Sequence, residues 1–272
     1  MKIVVSKGLK RSCFGLYQQW VQQLTNHGTE VVFGGSPTNI WTRDYLPVRG
    51  IRFQYKTVGY ETYKQMLVCE KDFKSLAFRN SDLVVDGGNL VFGDNVVVAT
   101  SMLFSWNKTK KPLEIVRQIE SYFEKKLVII PPEPGDTLGH SDGVLNFFNK
   151  DVAFVSDYEN TPYKKEVCSI LTRAGIECVL FPCPYSKCPQ LSQTEYRKIY
   201  LWGDDYNPGI GYYVNFLKVD NLYLLPTFGF EEDDVAEMTI KHNDRNAIVK
   251  RIDCYDLAMN GGLLHCVTSE QA

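Results

Sequence analysis

The chain has 272 residues, 44% hydrophobic and 23% charged, the balance of an ordinary globular protein of one large domain or two. A net charge of −2 leaves no electrostatic footprint for nucleic acid, and no apolar run approaches the roughly 20 residues of a membrane span. The opening residues, Met1-Lys2-Ile3-Val4-Val5-Ser6, turn polar too soon for a secretory leader, so a cytoplasmic protein with reduced thiols is expected. Most of the eight cysteines (Cys13, Cys69, Cys168, Cys178, Cys183, Cys188, Cys254 and Cys266) then read as core residues. Cys178, Cys183 and Cys188 stand five apart with no second pair or histidines at zinc-ligand spacing, so no metal site is expected.

In chain order, Lys2 to Val5 reads as a short buried strand. Cys13, Leu16, Tyr17, Trp20, Val21 and Leu24 recur at helical spacing, and Gly28 ends that helix. Glu30 to Phe33 is a second strand, followed by a turn-rich loop and the segment Ile40 to Pro47. Ile51 to Tyr55 alternates like a strand, residues 61–78 read as helical, and Leu83 to Val85 is a strand. Leu90 to Phe92 and Val96 to Ala99 flank the hairpin signal Gly93-Asp94-Asn95. A helix from Pro112 carries Leu113, Val116, Ile119, Tyr122 and Phe123, and the strand Leu127 to Ile130 follows.

The order strand, strand, helix, strand then recurs. Val144 to Phe148 and Val152 to Val155 precede a helix marked by Tyr163, Val167, Ile170, Leu171 and Ala174, and Cys178 to Phe181 closes the unit. After a long loop come Tyr212 to Val219, Tyr223 to Leu225, a helix opened by the acidic run Glu231-Glu232-Asp233-Asp234, and the strand Ala247 to Ile252. Three ββαβ units are thus explicit. The N-terminal strand–helix–strand makes a fourth if a strand after Gly262 supplies its missing member, and residues 47–85 could be a fifth. Units of about 50–70 residues suggest a closed radial array in one domain, residues 1–272.

Reactive side chains follow the closing strand of each unit. Asp44 follows Phe33, Asp86 follows Val85, the run Gly139-His140-Ser141-Asp142 follows Ile130, and Cys266 follows Ile252. Singly each has a plain reading: an Arg43–Asp44 surface pair, an Asp-Gly-Gly turn, a loop histidine, a buried inert thiol. In a radial array equivalent positions converge on the axis, and four titratable coincidences point to one central site.

Five motifs stand in order: Trp41-x-Arg43-Asp44-x-x-Pro47, Asp86-Gly87-Gly88-Asn89, Gly139-His140-x-Asp142, Asn215-Phe216 with Pro226-Thr227, and Gly261-Gly262-x-x-His265-Cys266-x-Thr268. This set resembles the agmatine deiminase and bacterial-type peptidylarginine deiminase family of the guanidine-modifying (pentein) superfamily. The resemblance implies an α/β fold, a five-bladed pseudosymmetric ββαβ propeller with a central active site. It implies Cys266 as nucleophile, His140 as general acid and base, Asp44 and Asp142 as the grip on the guanidinium, and Asp86 as the carboxylate that orients the histidine. Trp41, Arg43 and Asn215 are expected on the substrate side of the site. Where the family's histidine motif continues to an Arg-Phe pair, this chain reads Asn146-Phe147.

The chemistry suits these residue types. A guanidinium is planar and permanently charged, and two carboxylates can fix its plane through charge-assisted hydrogen bonds. Its carbon is a poor electrophile and calls for a thiolate, which neighbouring aspartates disfavour until a cation arrives. Loss of ammonia needs an acid, and the attack of water that follows needs a base. No metal or organic cofactor is required. The expected reaction is hydrolysis of a guanidino compound, agmatine first, to a ureido product and ammonia, with polyamine metabolism as its setting. Peptidylarginine or free arginine as substrate, an amidinotransferase, and a guanidine-binding protein without turnover stand as alternatives. The expected partner is a small guanidino molecule, not nucleic acid or membrane, with a homodimer as a possible assembly. Arg49 and Arg52 are the basic residues near Asp44 in sequence to which a substrate carboxylate could bind.

Overall fold

The computed structural model describes residues 2–9, 14–55, 68, 70–73, 76–136, 138–192, 194–195 and 208–271. Its described strands fall into five small mixed or parallel sheets. β1 (Lys2–Ser6) is the centre of the first, with β2 (Glu30–Gly34) parallel on one side and β14 (Thr268–Gln271) antiparallel on the other. The segment after Gly262 therefore does supply the missing strand, in the register Lys2↔Gln271 to Val5↔Thr268. The crossover from β1 to β2 is α1 (Phe14–Asn26), which buries Trp20 and Leu24 and ends before Gly28, whose φ of 83° suits glycine. Cys13 lies outside the described residues.

The same wiring recurs three times. β5 (Val91–Phe92) and β6 (Val96–Thr100) are antiparallel, and β7 (Lys126–Ile130) returns parallel to β6 through α4 (Pro112–Phe123). A short helix, α3 (Met102–Trp106), precedes that crossover. β8 (Leu145–Asn149), β9 (Val152–Ser156), α5 (Thr161–Arg173) and β10 (Glu177–Phe181) repeat the order, as do β11 (Leu217–Val219), β12 (Leu222–Thr227), α6 (Glu232–Asn243) and β13 (Ile248–Asp253). The helices start where the sequence provides for it. Asn160 accepts a hydrogen bond from the Tyr163 amide ahead of α5, and Glu232, Asp233 and Asp234 occupy the positive end of α6. Residues 47–85 give a parallel pair, β3 (Ile51–Gln54) with β4 (Arg79–Val84). The helix expected over 61–78 lies largely outside the described residues, which include only a 3-10 turn at Glu70–Phe73.

One expected strand is much shorter than its apolar pattern suggested. Tyr212 to Val219 reads as a strand, yet only Leu217–Val219 pairs with β12. Residues 209–216 turn instead, with Tyr213 N bonded to Gly211 O and Asn215 N to Tyr212 O. Ile210, Tyr213, Val214 and Phe216 are fully buried in the main core cluster, beside Trp20, Phe154 and Phe181. There Phe148, Phe154 and Phe181 stack at centroid distances of 4.2 and 4.6 Å, with Phe216 edge-on at 6.0 Å from Phe154. Their apolarity reports burial rather than pairing.

The connections that lead from one sheet to the next are 35–50, 85–90, 131–144, 182–216 (site residues in its part 208–216) and 254–267. Trp41, Arg43, Asp44, Asp86, His140, Asp142, Asn215 and Cys266 all lie on these five connections, while Arg52 is on β3.

Candidate active site

The first connection holds α2 (Thr42–Tyr45), a single helical turn. Thr42 Oγ1 donates to Val4 O of β1 at 3.4 Å, and the Arg43 amide donates to Cys266 O at 3.1 Å. The backbone that carries Asp44 is thus bonded to the backbone that carries the thiol. Asp44 Oδ1 accepts the Gly88 amide at 3.1 Å, which joins the second connection to the first. Gly88 is where the site opens. A side-chain carbon there would lie 2.8 Å from Asp44 Oδ1, 2.8 Å from His140 Nδ1 and 3.2 Å from Asp142 Oδ2. Three ionisable groups from two connections face one point that only a glycine leaves free.

His140 is buried, with Nε2 3.3 Å from Asp86 Oδ2 and Nδ1 3.7 Å from Asp44 Oδ1. Trp106 stands edge-on to its ring at 6.1 Å. Burial alone would pull the imidazole pKa down, but the Asp44 and Asp86 carboxylates outweigh it and hold it at about 10. His140 is therefore a cation at neutral pH. Burial raises the Asp86 carboxyl despite its bond to His140, and its other oxygen is buried without a hydrogen-bond partner among the described residues. Burial also lifts Asp44, to about 7, against the opposing pull of His140.

Cys266 Sγ is 3.4 Å from Asn215 Oδ1 and 3.7 Å from Asp142 Oδ2. Burial, then the Asp142 and Asp44 charges, push its thiol well above the ordinary range. Asn215 fixes this segment: its Oδ1 accepts the amides of His265 and Cys266 at 3.2 and 3.3 Å, and its Nδ2 donates to Asp142 O at 3.1 Å. Asn146 clamps the same turn by donating to Val214 O and Phe216 O, each at 3.1 Å. Asp142 Oδ2 also lies 2.8 Å from His265 Nδ1. Burial works against ionisation of Asp142, yet the His265 bond and nearby positive charge bring it below the usual carboxylate range. Burial and Arg43 keep His265 below its ordinary value, hence neutral, with Nδ1–H the donor.

Asp44, Asp86, His140, Asp142, Asn215 and Cys266 are thus brought together. The other two expected residues stand behind them. Trp41 is buried in the main core cluster against Gly262, where any side-chain carbon would meet its ring at 2.4 Å. Gly261, at φ 93°, makes the turn that precedes the thiol. Arg43 directs its guanidinium away from the carboxylates: Nε donates to His265 O at 3.2 Å and Nη2 to Glu270 Oε1 at 3.4 Å. It braces the segment from α2 to β14. The site residue that sequence reasoning passed over is His265, which belonged to the quoted motif beside the thiol but drew no role. Trp106 left no signal at all. Arg49 lies over the Phe92 ring at 4.1 Å and Arg52 over Phe73 at 3.8 Å. Among the described residues no group of three or more His, Cys, Asp or Glu is arranged to hold a metal ion, and no helix is long and apolar enough to cross a membrane.

The arrangement sets three carboxylates against one charged imidazole around a thiol, a site that gains when a small planar cation enters. Known proteins are similar in sequence or in fold. A putative agmatine deiminase of Streptococcus mutans is 26% identical over 215 residues, 72% of this chain and 58% of the relative. The chain thus spans less than two thirds of that relative's length. The solved agmatine deiminase of Enterococcus faecalis superposes with a TM-score of 0.74 at 16% identity, covering 99% of this chain and 92% of that one. A Cys-to-Ser variant of the C. jejuni agmatine deiminase with substrate bound superposes at 0.72 and 14% identity, with the same coverage. The family model for Porphyromonas-type peptidyl-arginine deiminases matches residues 16–272, and the chain belongs to that family.

Proposed function

We propose that this protein hydrolyses the guanidino group of a small cationic substrate, agmatine first, to a ureido product and ammonia. The observation that carries the reading is the point in front of Gly88, faced by Asp44, His140 and Asp142, with Cys266 Sγ 3.7 Å from Asp142 Oδ2. A guanidinium at that point meets a carboxylate on each side and a thiol at its carbon. Its charge offsets the Asp44 and Asp142 fields that oppose the thiolate, so binding itself promotes ionisation of Cys266, whose proton leaves to solvent.

The thiolate attacks the central carbon and forms a C–S bond. The tetrahedral adduct collapses as its C–N bond breaks, and His140, already protonated, delivers a proton to the leaving nitrogen. His140 is then neutral and takes a proton from water, which adds to the thiouronium carbon. Collapse of the second adduct breaks the C–S bond, releases the ureido product and returns the proton to sulfur. Asp86 holds the imidazole in its orientation and stabilises its charged form, as the carboxylate of a catalytic triad does.

In this reading the five sheets are blades of a single domain arranged radially, which accounts for one site residue group on each inter-sheet connection. A cytoplasmic setting, where thiols stay reduced, suits a cysteine nucleophile. The test is colorimetric detection of ureido product, without added amine acceptor, from agmatine, free arginine, a methylated arginine and an arginyl peptide. Wild-type protein should turn over at least agmatine, and Cys266→Ser none of them. No product from any of the four would sink the deiminase reading, and product only on adding an amine would favour an amidinotransferase.

A further inference from the structure

Asp86 and His140 come from different connections, so their 3.3 Å contact depends on what holds those two stretches of backbone together. One residue outside the site bonds to both. Thr100, the last residue of β6, is fully buried and takes no part in the proposed chemistry. Its amide donates to Asn89 Oδ1 at 2.8 Å. Asn89 closes the turn that Asp86 begins, its own amide donating to Asp86 O at 2.9 Å. The Thr100 hydroxyl donates to Gly139 O, the carbonyl immediately before His140, at 2.5 Å. A hydroxyl has one proton, so this bond uses the whole donor capacity of the side chain. The same oxygen accepts the Met102 amide at 3.4 Å, at the start of α3, which carries Trp106 to the edge of the His140 ring.

The backbone on the other side of His140 is tied to the same strand. Ser141 Oγ donates to Val98 O at 3.2 Å, and Val98 lies two residues before Thr100 on β6. β6 is the central strand of its sheet, paired with β5 on one side and β7 on the other. Gly139 has little freedom to compensate for a change there. At φ 60° it sits where a side-chain carbon would meet Met102 Cγ and Pro132 Cβ, each at 2.8 Å. With its carbonyl held by Thr100, the planar peptide between Gly139 and His140 is fixed, and the approach of the imidazole to Asp86 follows from it.

We propose that Thr100 is a positioning residue, whose amide and hydroxyl together set the distance between Asp86 and His140 and thereby tune the proton transfers of His140. The transfers rest on the deiminase reading, whereas the distance does not. Three carboxylates act on His140: Asp44 and Asp86 at 3.7 and 3.3 Å, and Asp142 through its field. Loosening the Thr100 link weakens the Asp86 hydrogen bond first. That contact is directional and falls off steeply, while the Asp44 and Asp142 fields change little over a small displacement.

Three substitutions separate the roles of the hydroxyl. Thr100→Ala removes the donor and leaves Gly139 O without it. Thr100→Val also puts a methyl where the hydroxyl stood, 2.5 Å from that oxygen and well inside carbon–oxygen contact, so the carbonyl must move. Thr100→Ser restores the donor. NMR titration of the four histidines in the folded protein without substrate follows His140, and ureido formation from agmatine gives kcat and KM. His140, held at about 10 in the wild type, should titrate at about 9 or below in Thr100→Ala and Thr100→Val. In Thr100→Ser it should stay within about 0.3 of wild type. In the first two variants kcat should fall by about tenfold or more with KM within about threefold, and serine should recover at least about half of kcat. If the valine variant fails to fold, alanine, which pushes nothing aside, carries the test. Variants that melt lower yet keep the wild-type His140 titration and kcat would reduce Thr100 to a structural hydroxyl and overturn the proposal. A loss in Thr100→Ser as large as in Thr100→Ala would overturn it too. Absence of ureido product from wild-type protein would instead remove the deiminase reading, since the His140 titration tests the Thr100 link without turnover.

Discussion

Replacing Gly88 by alanine separates geometry from chemistry, because it alters no ionisable group. Gly88 does not have a positive φ, so alanine fits its backbone, and its amide can still donate to Asp44. The new methyl would start 2.8 Å from Asp44 Oδ1 and His140 Nδ1 and 3.2 Å from Asp142 Oδ2. Ordinary contact begins near 3.4 Å, so Asp44 and His140 must each retreat by about 0.6 Å, and the methyl occupies the space proposed for the guanidinium. The obstacles are ends of side chains, which places the expected loss of stability near 1 kcal/mol. Misplacement of reacting groups on this scale costs about 10²-fold in kcat/KM, or about 2.7 kcal/mol of transition-state stabilisation. Gly87→Ala is the contrasting variant. Its methyl would meet Arg43 backbone oxygen at 2.0 Å, so stability should fall first. Ureido formation and thermal melting, measured on both, decide the matter. Gly88→Ala with kcat/KM within about threefold of wild type, or with an activity loss fully matched by a melting loss, would refute the reasoning.

The Asp86–His140 pair predicts a pH dependence. A histidine raised to about 10 contributes stability that is complete below about 6.5 and is lost as pH rises through about 10. Asp44, raised to about 7, acts at lower pH, and the buried Cys266 thiol, also raised, adds to the loss only above about 8.5, so the onset near neutrality is set by His140. Urea denaturation should show the protein losing stability from about pH 7 to about pH 10, with a flatter dependence in Asp86→Asn, whose His140 resonance should titrate nearer 6.5. An unchanged His140 titration in that variant would contradict the assignment. His265→Ala removes the donor that keeps Asp142 ionised. KM should rise by about tenfold or more, the value of a hydrogen bond to a charged group, with Asp142 titrating at higher pH. Equal losses in kcat for charged and uncharged substrates at constant KM would instead mark a general structural role.

Much of this was legible because strand and turn signals are local. The runs around Gly93-Asp94-Asn95 and Asn149-Lys150-Asp151 alternate with helices of clear periodicity, and those units formed with boundaries within a residue or two. The 209–216 segment misled because burial against Phe154 and Phe181 produces the same apolar run as a strand. At the site, Asp44, Asp86, His140, Asp142 and Cys266 were named from ordered motifs, and their meeting follows from the repeated wiring. Arg43 reads as a partner of Asp44 because the two are adjacent in sequence. Its true contacts, His265 O and Glu270, lie more than two hundred residues away, beyond any local signal. His265 was hidden by the more reactive cysteine beside it. What gives it a role is one short distance to Asp142, again set by tertiary structure.

The pairing of β1 with β14 has a consequence for the order of assembly. Cys266 leaves the ribosome after every other residue of the site, and its segment is anchored by a strand whose partner was made first. A pairing across this sequence separation is among the slowest contacts a chain can make. The other sheets can form during synthesis, while Cys266 waits for β14 to pair with β1. Under the proposed function, reactivity of Cys266 toward a guanidine then indicates completed folding, and an unfinished chain presents the carboxylates without the thiol.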